Sequence, residues 1–487
     1  MNTHAIKKVL IFCSLFFLIP SMVVADEFDD WMKEEMGAFK KYQDERDKEF
    51  TDLLSKDWRE FQMSFGLKRD DKPKPVVIPT APRARIPSVP DKKPSAVVKI
   101  KKLPPLPKAP VTKKIKKSRY KGRTLKVEFY GVVVSLQYDP HFVTRLGDTI
   151  DKTAISDFWT VLSTSDYKPL MAQLLAYRKA LNLNDWAYAE LVNTVGEAIY
   201  RGRVNEAKMF DWFMLTKTGY SARIGFNDRT IYLMLPAKSK MYGVSFFTYD
   251  GRRYYVVSFS GKPEKVTTLY SYDGNYARAN ALIDLSIVQL PQLQTSIQEK
   301  KMQFHFEKKV YQLSVRYDRN LIDFFNHYPV TELDVYFSSA LSQELQYTLL
   351  SELKPMVEGK SEEAAVNLLL RFVQTAFEYK TDGDQFGREK YFFPEELFLY
   401  PYSDCEDRSI LFAYLVRNLL GLEVVAIAYP GHVATAVQFK DHVKGSAITY
   451  QNKRYVISDP TYINASTGMV MPQYKNTKAK VIPIAKF

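Results

Sequence analysis

From Asp26 to Phe65 the large apolar residues, among them Trp31, Phe39, Tyr42, Phe50, Leu54, Trp58, Phe61 and Phe65, recur at three- and four-residue steps. That period predicts an amphipathic helix over residues 26–66, ended by Gly66. Its aromatic stripe needs cover from a partner helix, a second copy or a membrane surface, and core or coiled-coil packing is the default. The periodicity then vanishes over residues 67–122, which read as a basic, Pro-rich disordered linker.

From Lys121 onward one order of patterns occurs twice. The first pass has an alternating run from Leu125 to Asp139, helical stretches at 155–181, 184–200 and 206–218, and strands near 222–225, 230–235, 243–249 and 253–259. The second has Val310 to Asp318, helical stretches at 341–353, 361–379 and 405–420, and strands near 424–429, 432–439, 446–450 and 454–458. The closest local match sets Tyr255-Val256-Val257-Ser258-Phe259 beside Tyr455-Val456-Ile457-Ser458-Asp459. An internal duplication is expected, with an α+β domain at 123–265, a connecting segment at 266–304 and a second α+β domain at 305–487.

Charge alters the picture of the linker alone. Between Asp71 and Tyr120 lie eleven of the 25 prolines and fifteen Lys or Arg against two Asp, a net of +13 out of +14 for the whole chain. The basic balance therefore describes a spacer and not a folded surface. In polyproline geometry, at ~3.1 Å per residue, it could span on the order of 150 Å. A solvated spacer is the plain reading, and a tether to an anionic envelope polymer or membrane surface the sharper one. No nucleic-acid partner is expected, because no aromatic residues interleave the basic ones from Ala81 to Lys117.

Lys7 and Lys8 precede an apolar run from Val9 to Leu18, and Val23-Val24-Ala25 offers small residues for cleavage. Residues 1–25 thus read as a signal peptide, and the mature protein as exported to the periplasm or cell envelope. Cys13 leaves with the peptide, so Cys405 remains as a lone thiol in a compartment that pairs cysteines. It stands in Ser403-Asp404-Cys405-Glu406-Asp407-Arg408, at the expected start of a helix whose N-terminus favours a thiolate. His432, after Pro430-Gly431, begins the alternation His432, Ala434, Ala436, and Asp459 ends a strand ahead of Pro460.

These three residues are a nucleophile, a base and an orienting carboxylate. One Cys and one His at this spacing lack a third ligand, so neither a metal nor a cofactor is expected. His442 lies in a charged turn and reads as solvated, and the first pass has neither Cys nor His in the corresponding places.

With Phe377-Glu378-Tyr379, Pro394-Glu395-Glu396-Leu397, Asp404-Cys405-Glu406-Asp407, Gly431-His432 and Ser458-Asp459-Pro460-Thr461, the segment from Ser361 to Tyr462 resembles the transglutaminase-like superfamily, which includes many bacterial exported cysteine peptidases. The resemblance implies a papain-like α+β fold with Cys405 as nucleophile, His432 as general base and acid, and Asp459 as orienter. Val433 departs from the aromatic residue common after the histidine, and no Trp follows Trp212. An oxyanion donor besides the Cys405 N–H is unassigned, with Gln374, Gln385 and Tyr402 as candidates. The implied function is amide hydrolysis, or acyl transfer, on envelope proteins or peptides. The alternative is an inactive envelope scaffold that binds partners. Oligomeric state is not legible.

Overall fold

The computed structural model describes residues 45–56, 58–64, 66–67, 74–82, 120–307 and 309–484. The expected signal peptide, the first part of the expected long helix and most of the linker lie outside the described residues.

Residues 45–54 form a helix, α1, and the chain then enters a strand, β1 (Trp58–Gln62). After the linker come a hairpin, β2 (Arg123–Phe129) and β3 (Val132–Tyr138), and then α2 (Lys152–Thr164), α3 (Lys168–Ala180), α4 (Asp185–Tyr200) and α5 (Val204–Lys217). Strands β4 (Arg223–Asn227), β5 (Thr230–Pro236), β6 (Phe246–Tyr249), β7 (Arg252–Val256) and β8 (Thr268–Tyr272) complete the first half. A second hairpin, β9 (Ile297–Phe306) and β10 (Lys309–Asp318), leads to α6 (Arg319–Asn326), α7 (Leu333–Phe337), α8 (Gln343–Val357) and α9 (Glu362–Thr375). A short parallel pair, β11 (Glu378–Tyr379) and β12 (Tyr402–Ser403), brackets α10 (Asp382–Phe386). Then α11 (Cys405–Leu415) runs on as a π-helical turn to Leu420, followed by β13 (Glu423–Tyr429), β14 (His432–Gln438), β15 (Ala447–Tyr450), β16 (Lys453–Ser458) and β17 (Lys480–Pro483).

The architecture is α+β. Two antiparallel sheets dominate it, ordered β1-β8-β4-β5-β7-β6 and β17-β13-β14-β16-β15. Without the added edge strand β1, the five strands of each half stand in one order. Each sheet carries a helix against its second strand in sequence, α5 on β5 and α11 on β14. Thr230 and His432 each open that strand after a two-residue turn, in the registers Asn227↔Thr230 and Tyr429↔His432. Gly431 sits in the second turn at φ +72°, where a side chain would be strained.

Several sequence boundaries move. The helix expected over 26–66 ends at Leu54, because burial at Phe61 and Met63, with Glu60, Gln62 and Ser64 exposed, follows the two-residue period of a strand. Its partner is the first half itself. Phe50 packs on Trp159 with ring centroids 4.7 Å apart, and Asp47 pairs with Lys217. Burying Phe50 and Leu54 stabilises this docking by roughly 2 kcal/mol each.

The stretch expected at 155–181 is two helices, because Asp139 Oδ2 accepts from the Asp166 N–H at 2.9 Å and Pro169 enters the first turn of the next helix. Residues 266–304 are more than a connection: β8 belongs to the first sheet, and the second half begins at Ile297 in β9, before the boundary set at 305. The linker expected over 67–122 is also not wholly a spacer, since residues 74–82 are seated on the second half. There Ala81 N–H donates to Ile463 O at 2.7 Å, and Ile463 N–H to Pro79 O at 2.9 Å.

Candidate functional site

Cys405 is the first residue of α11, held by the turn before it. The Asp407 carboxylate accepts from the N–H of Asp404 at 3.1 Å and from that of Phe392 at 2.9 Å, fixing the helix start to the preceding loop. Ser409, one turn on, donates to Val433 O at 3.1 Å and ties the helix to β14. The thiol is fully buried and its Sγ–H donates to Glu406 Oε2 at 2.9 Å.

The thiolate bias expected from the helix terminus does not prevail in this arrangement. Burial first, and then the carboxylates of Glu406 and Asp404, push the Cys405 thiol well above its ordinary range, and Lys74 opposes them only in part.

His432 and Asp459 are brought together as the sequence predicts. His432 shares a sheet face with Ala434 and Ala436, and its ring lies parallel to that of Tyr474 at 5.3 Å. Its Nε2 lies 2.9 Å from Asp459 Oδ2. Asp459 Oδ1 accepts from the N–H groups of Thr461 at 2.9 Å and Tyr462 at 3.2 Å, which turns Oδ2 toward the imidazole. A carboxylate can only accept, so Nε2 donates in this bond, and in a neutral ring Nδ1 carries the lone pair. That Nδ1 is buried and has no hydrogen-bond partner. Cys405 and His432 share no hydrogen bond.

Around the thiol lies an acidic cluster that sequence spacing alone did not reveal. Asp382, Asp404, Glu406 and Asp407 are all buried, and one cation meets three of them. Lys74 Nζ lies 2.7 Å from Asp404 Oδ2, 3.0 Å from Glu406 Oε2, 3.5 Å from Asp382 Oδ2 and 3.0 Å from Glu389 Oε2. Burial lowers the pKa of Lys74, but Asp404, Glu406 and Asp382 outweigh it and hold the ammonium charged, well above its ordinary value. Burial pushes the carboxyls of Asp382, Asp404 and Asp407 up.

No third ligand for Cys405 was evident in the sequence. The fold supplies carboxylates: Asp404, Cys405 and Glu406 form one triplet of donor atoms within 4.8 Å of one another, and Asp382, Asp404 and Asp407 a second.

The three oxyanion candidates have other work or other surroundings. Gln374 Nε2 donates to the carbonyls of Asp459, Tyr462 and Ala465 at 3.1, 2.9 and 3.0 Å, shaping the loop after the carboxylate and leaving no amide hydrogen aimed at the thiol. Tyr402 carries the Lys380 ammonium over its ring, and Gln385 lies on α10 with a buried Oε1 that has no partner.

Glu395, fully buried, accepts from Asp318 N–H and Ser342 N–H, each at 2.8 Å, and joins the hairpin to the start of α8. Burial raises its carboxyl to about 7. A folded-state value above the unfolded one contributes stability that is complete below about pH 4 and lost as pH rises through 7, on the order of 3 kcal/mol. Urea midpoints are expected to fall between pH 5 and 7.5, with a shallower fall in Glu395→Gln. A wild-type midpoint that rises over this range would contradict the assignment.

Comparison of the chain with protein-family models, curated proteins and solved structures finds no match.

Proposed function

We propose that this chain is an exported cysteine hydrolase of transglutaminase-like type that cleaves amide bonds of envelope proteins or peptides, with its site held shut by its own chain. The observation that carries the reading is the buried His432, bound to Asp459 at one nitrogen and unpartnered at the other, on the strand against which the Cys405 helix packs. Such an imidazole is a base without its proton donor, and the reading requires the thiol to leave Glu406 for it.

In the reaction the Cys405 proton passes to His432 Nδ1 as sulfur bonds to the substrate carbonyl carbon. The C–N bond then breaks, His432 returns the proton to the departing amine, and a thioester remains. Water, deprotonated by His432, releases the acid and restores the thiol. Hydrolysis is favoured over transfer because it needs no second substrate site.

The first half is read as a degenerate copy of the second, supported by the common strand order. Val204 opens α5 as Cys405 opens α11, and Thr230 stands in the place of His432. The ladder, with Met234 opposite Val256, puts Ser258 in the place of Asp459, one residue before the sequence pairing at Phe259. A recognition or regulatory role suits this half, with the basic linker as a tether to an anionic envelope surface.

The scaffold reading rests on the Cys405 bond to Glu406 in place of His432. Exposure to p-nitrophenyl acetate separates the two. A hydroxylamine-labile acetyl group on Cys405, slow to form in the wild type, faster to form and then lost in Lys74→Glu, and slower both to form and to be lost when His432→Ala is added to Lys74→Glu, is the expected result by mass spectrometry. No adduct in either the wild type or Lys74→Glu would favour the scaffold.

A further inference from the structure

Residues 74–82 make three separate kinds of contact across the second half, and each has the form of ligand recognition. At one end Lys74 places its ammonium among Asp382, Asp404, Glu406 and Glu389. In the middle the Tyr379 hydroxyl donates to Pro75 O at 2.8 Å. At the other end Thr80 pairs in parallel with Ile463, while Ala81 is buried against Tyr462, Ala465 and Met471. Backbone pairing to a loop, a small apolar pocket and a charged pocket are together contacts that can hold an extended peptide. Val76 and Val77, between the anchors, are 70% and 79% exposed, so the segment is not part of the core beneath it.

The charged pocket is built for a cation. Its carboxylates outnumber the one ammonium, and Asp404 Oδ1 is buried with no partner. Lys74 comes from the most basic stretch of the chain, yet its side chain is only 9% exposed. Burying so flexible a cation is costly unless the pocket selects for it. The same Glu406 oxygen that receives Lys74 also receives the Cys405 thiol, so the occupant and the nucleophile share one group.

We propose that the surface running from the acidic pocket beside Cys405 to the loop at Ile463 is a binding site for extended, lysine-bearing peptides, and that residues 74–82 are its built-in competitor. The proposal deepens the hydrolase reading by naming its substrate class, and it rests on that reading only for the chemistry after binding. A tethered occupant acts at an effective concentration on the order of millimolar, so a peptide added at micromolar levels sees few open sites.

The test uses the full chain and an acetylated, fluorescein-labelled peptide of the sequence 74–82. Lys74→Glu, which cannot seat in the acidic pocket, and Ala81→Arg, which cannot enter the apolar one, are both expected to release the segment. In either variant the labelled peptide should bind at least about tenfold more tightly than to the wild type, the gain expected when a competing state is removed. Iodoacetamide labelling of Cys405 should accelerate by at least the same factor, and excess unlabelled peptide should return the rate to that of the wild type. A peptide with Gln in place of Lys74 should do neither.

In the wild type, loss of amide protection at Ala81 and Ile463 should track the labelling of Cys405, a check that needs no substitution. Folded variants that bind no peptide and leave Cys405 unreactive, equal binding of the Gln peptide, or exchange uncoupled from labelling would each overturn the proposal. Binding and protection are read without turnover. A peptide that binds and forms no acyl adduct therefore sinks the hydrolase reading alone, and an adduct without peptide binding sinks the peptide site alone.

Discussion

Asp459→Asn is expected to lower the turnover of an amide or ester substrate by about 10⁴-fold while leaving the fold intact. The size follows from the hydrogen bonds that fix the carboxylate. Oδ1 must accept from the N–H groups of Thr461 and Tyr462, so the asparagine oxygen takes that place and its NH₂ faces His432 Nε2. A donor there requires Nε2 to accept, which moves the ring proton to Nδ1. In the proposed reaction the imidazole would then offer the thiol a proton in place of a lone pair and could not act as its base. Steady-state rates and a thermal melt on the same preparation check this. Turnover within about tenfold of the wild type would remove Asp459 from its proposed role.

Arg408→Met is expected to cost about 3–5 kcal/mol of stability, read as a lowered urea midpoint. Arg408 is fully buried on α11 and joins three segments. Its Nη2 donates to Phe377 O at 2.7 Å, Nη1 to Gln374 O at 3.3 Å and Nε to Ser403 Oγ at 3.2 Å. Burial draws even this guanidinium down to about 10, with Tyr379, Asp404 and Asp407 acting the other way. Methionine would fill much of the volume but leave two carbonyls without these donors and the acidic cluster with one cation fewer. Lysine should recover only part of the loss, because a single ammonium cannot match the guanidinium fork. A change below about 1 kcal/mol would show that water or a rearranged loop replaces those bonds.

The second-half elements from Cys405 to Ser458 were legible as apolar runs set off by turn residues, namely Gly421, Gly431, Gly445 and Gln451-Asn452. The pairing of His432 with Asp459 was legible for a related reason, since residues at strand ends in one sheet are placed by the ladder. Short edge strands were not. β17 pairs with β13 over only four residues, and its place depends on a tertiary groove and not on a local pattern. In β1, Trp58 and Phe61 suit a helical step as well as a strand, and only pairing with β8 decides between them.

The acidic cluster was visible as letters but not as a pocket. Asp382 and Lys74 stand 22 and 330 residues from Asp404, and charge counting had assigned Lys74 to a solvated spacer. Composition averages over such a stretch and hides the one lysine that is buried.

Leu67 pairs with Tyr242 on the first half, and Lys74 is seated on the second, seven residues further on. Even a fully extended chain covers only about 25 Å over that distance. On so short a leash, Lys74 stays within reach of the site of its own molecule even when released. Opening is therefore a unimolecular event whose rate is the same in a dilute solution as in a crowded compartment, and the fraction of open sites is set by the chain itself and not by how much of the protein is present.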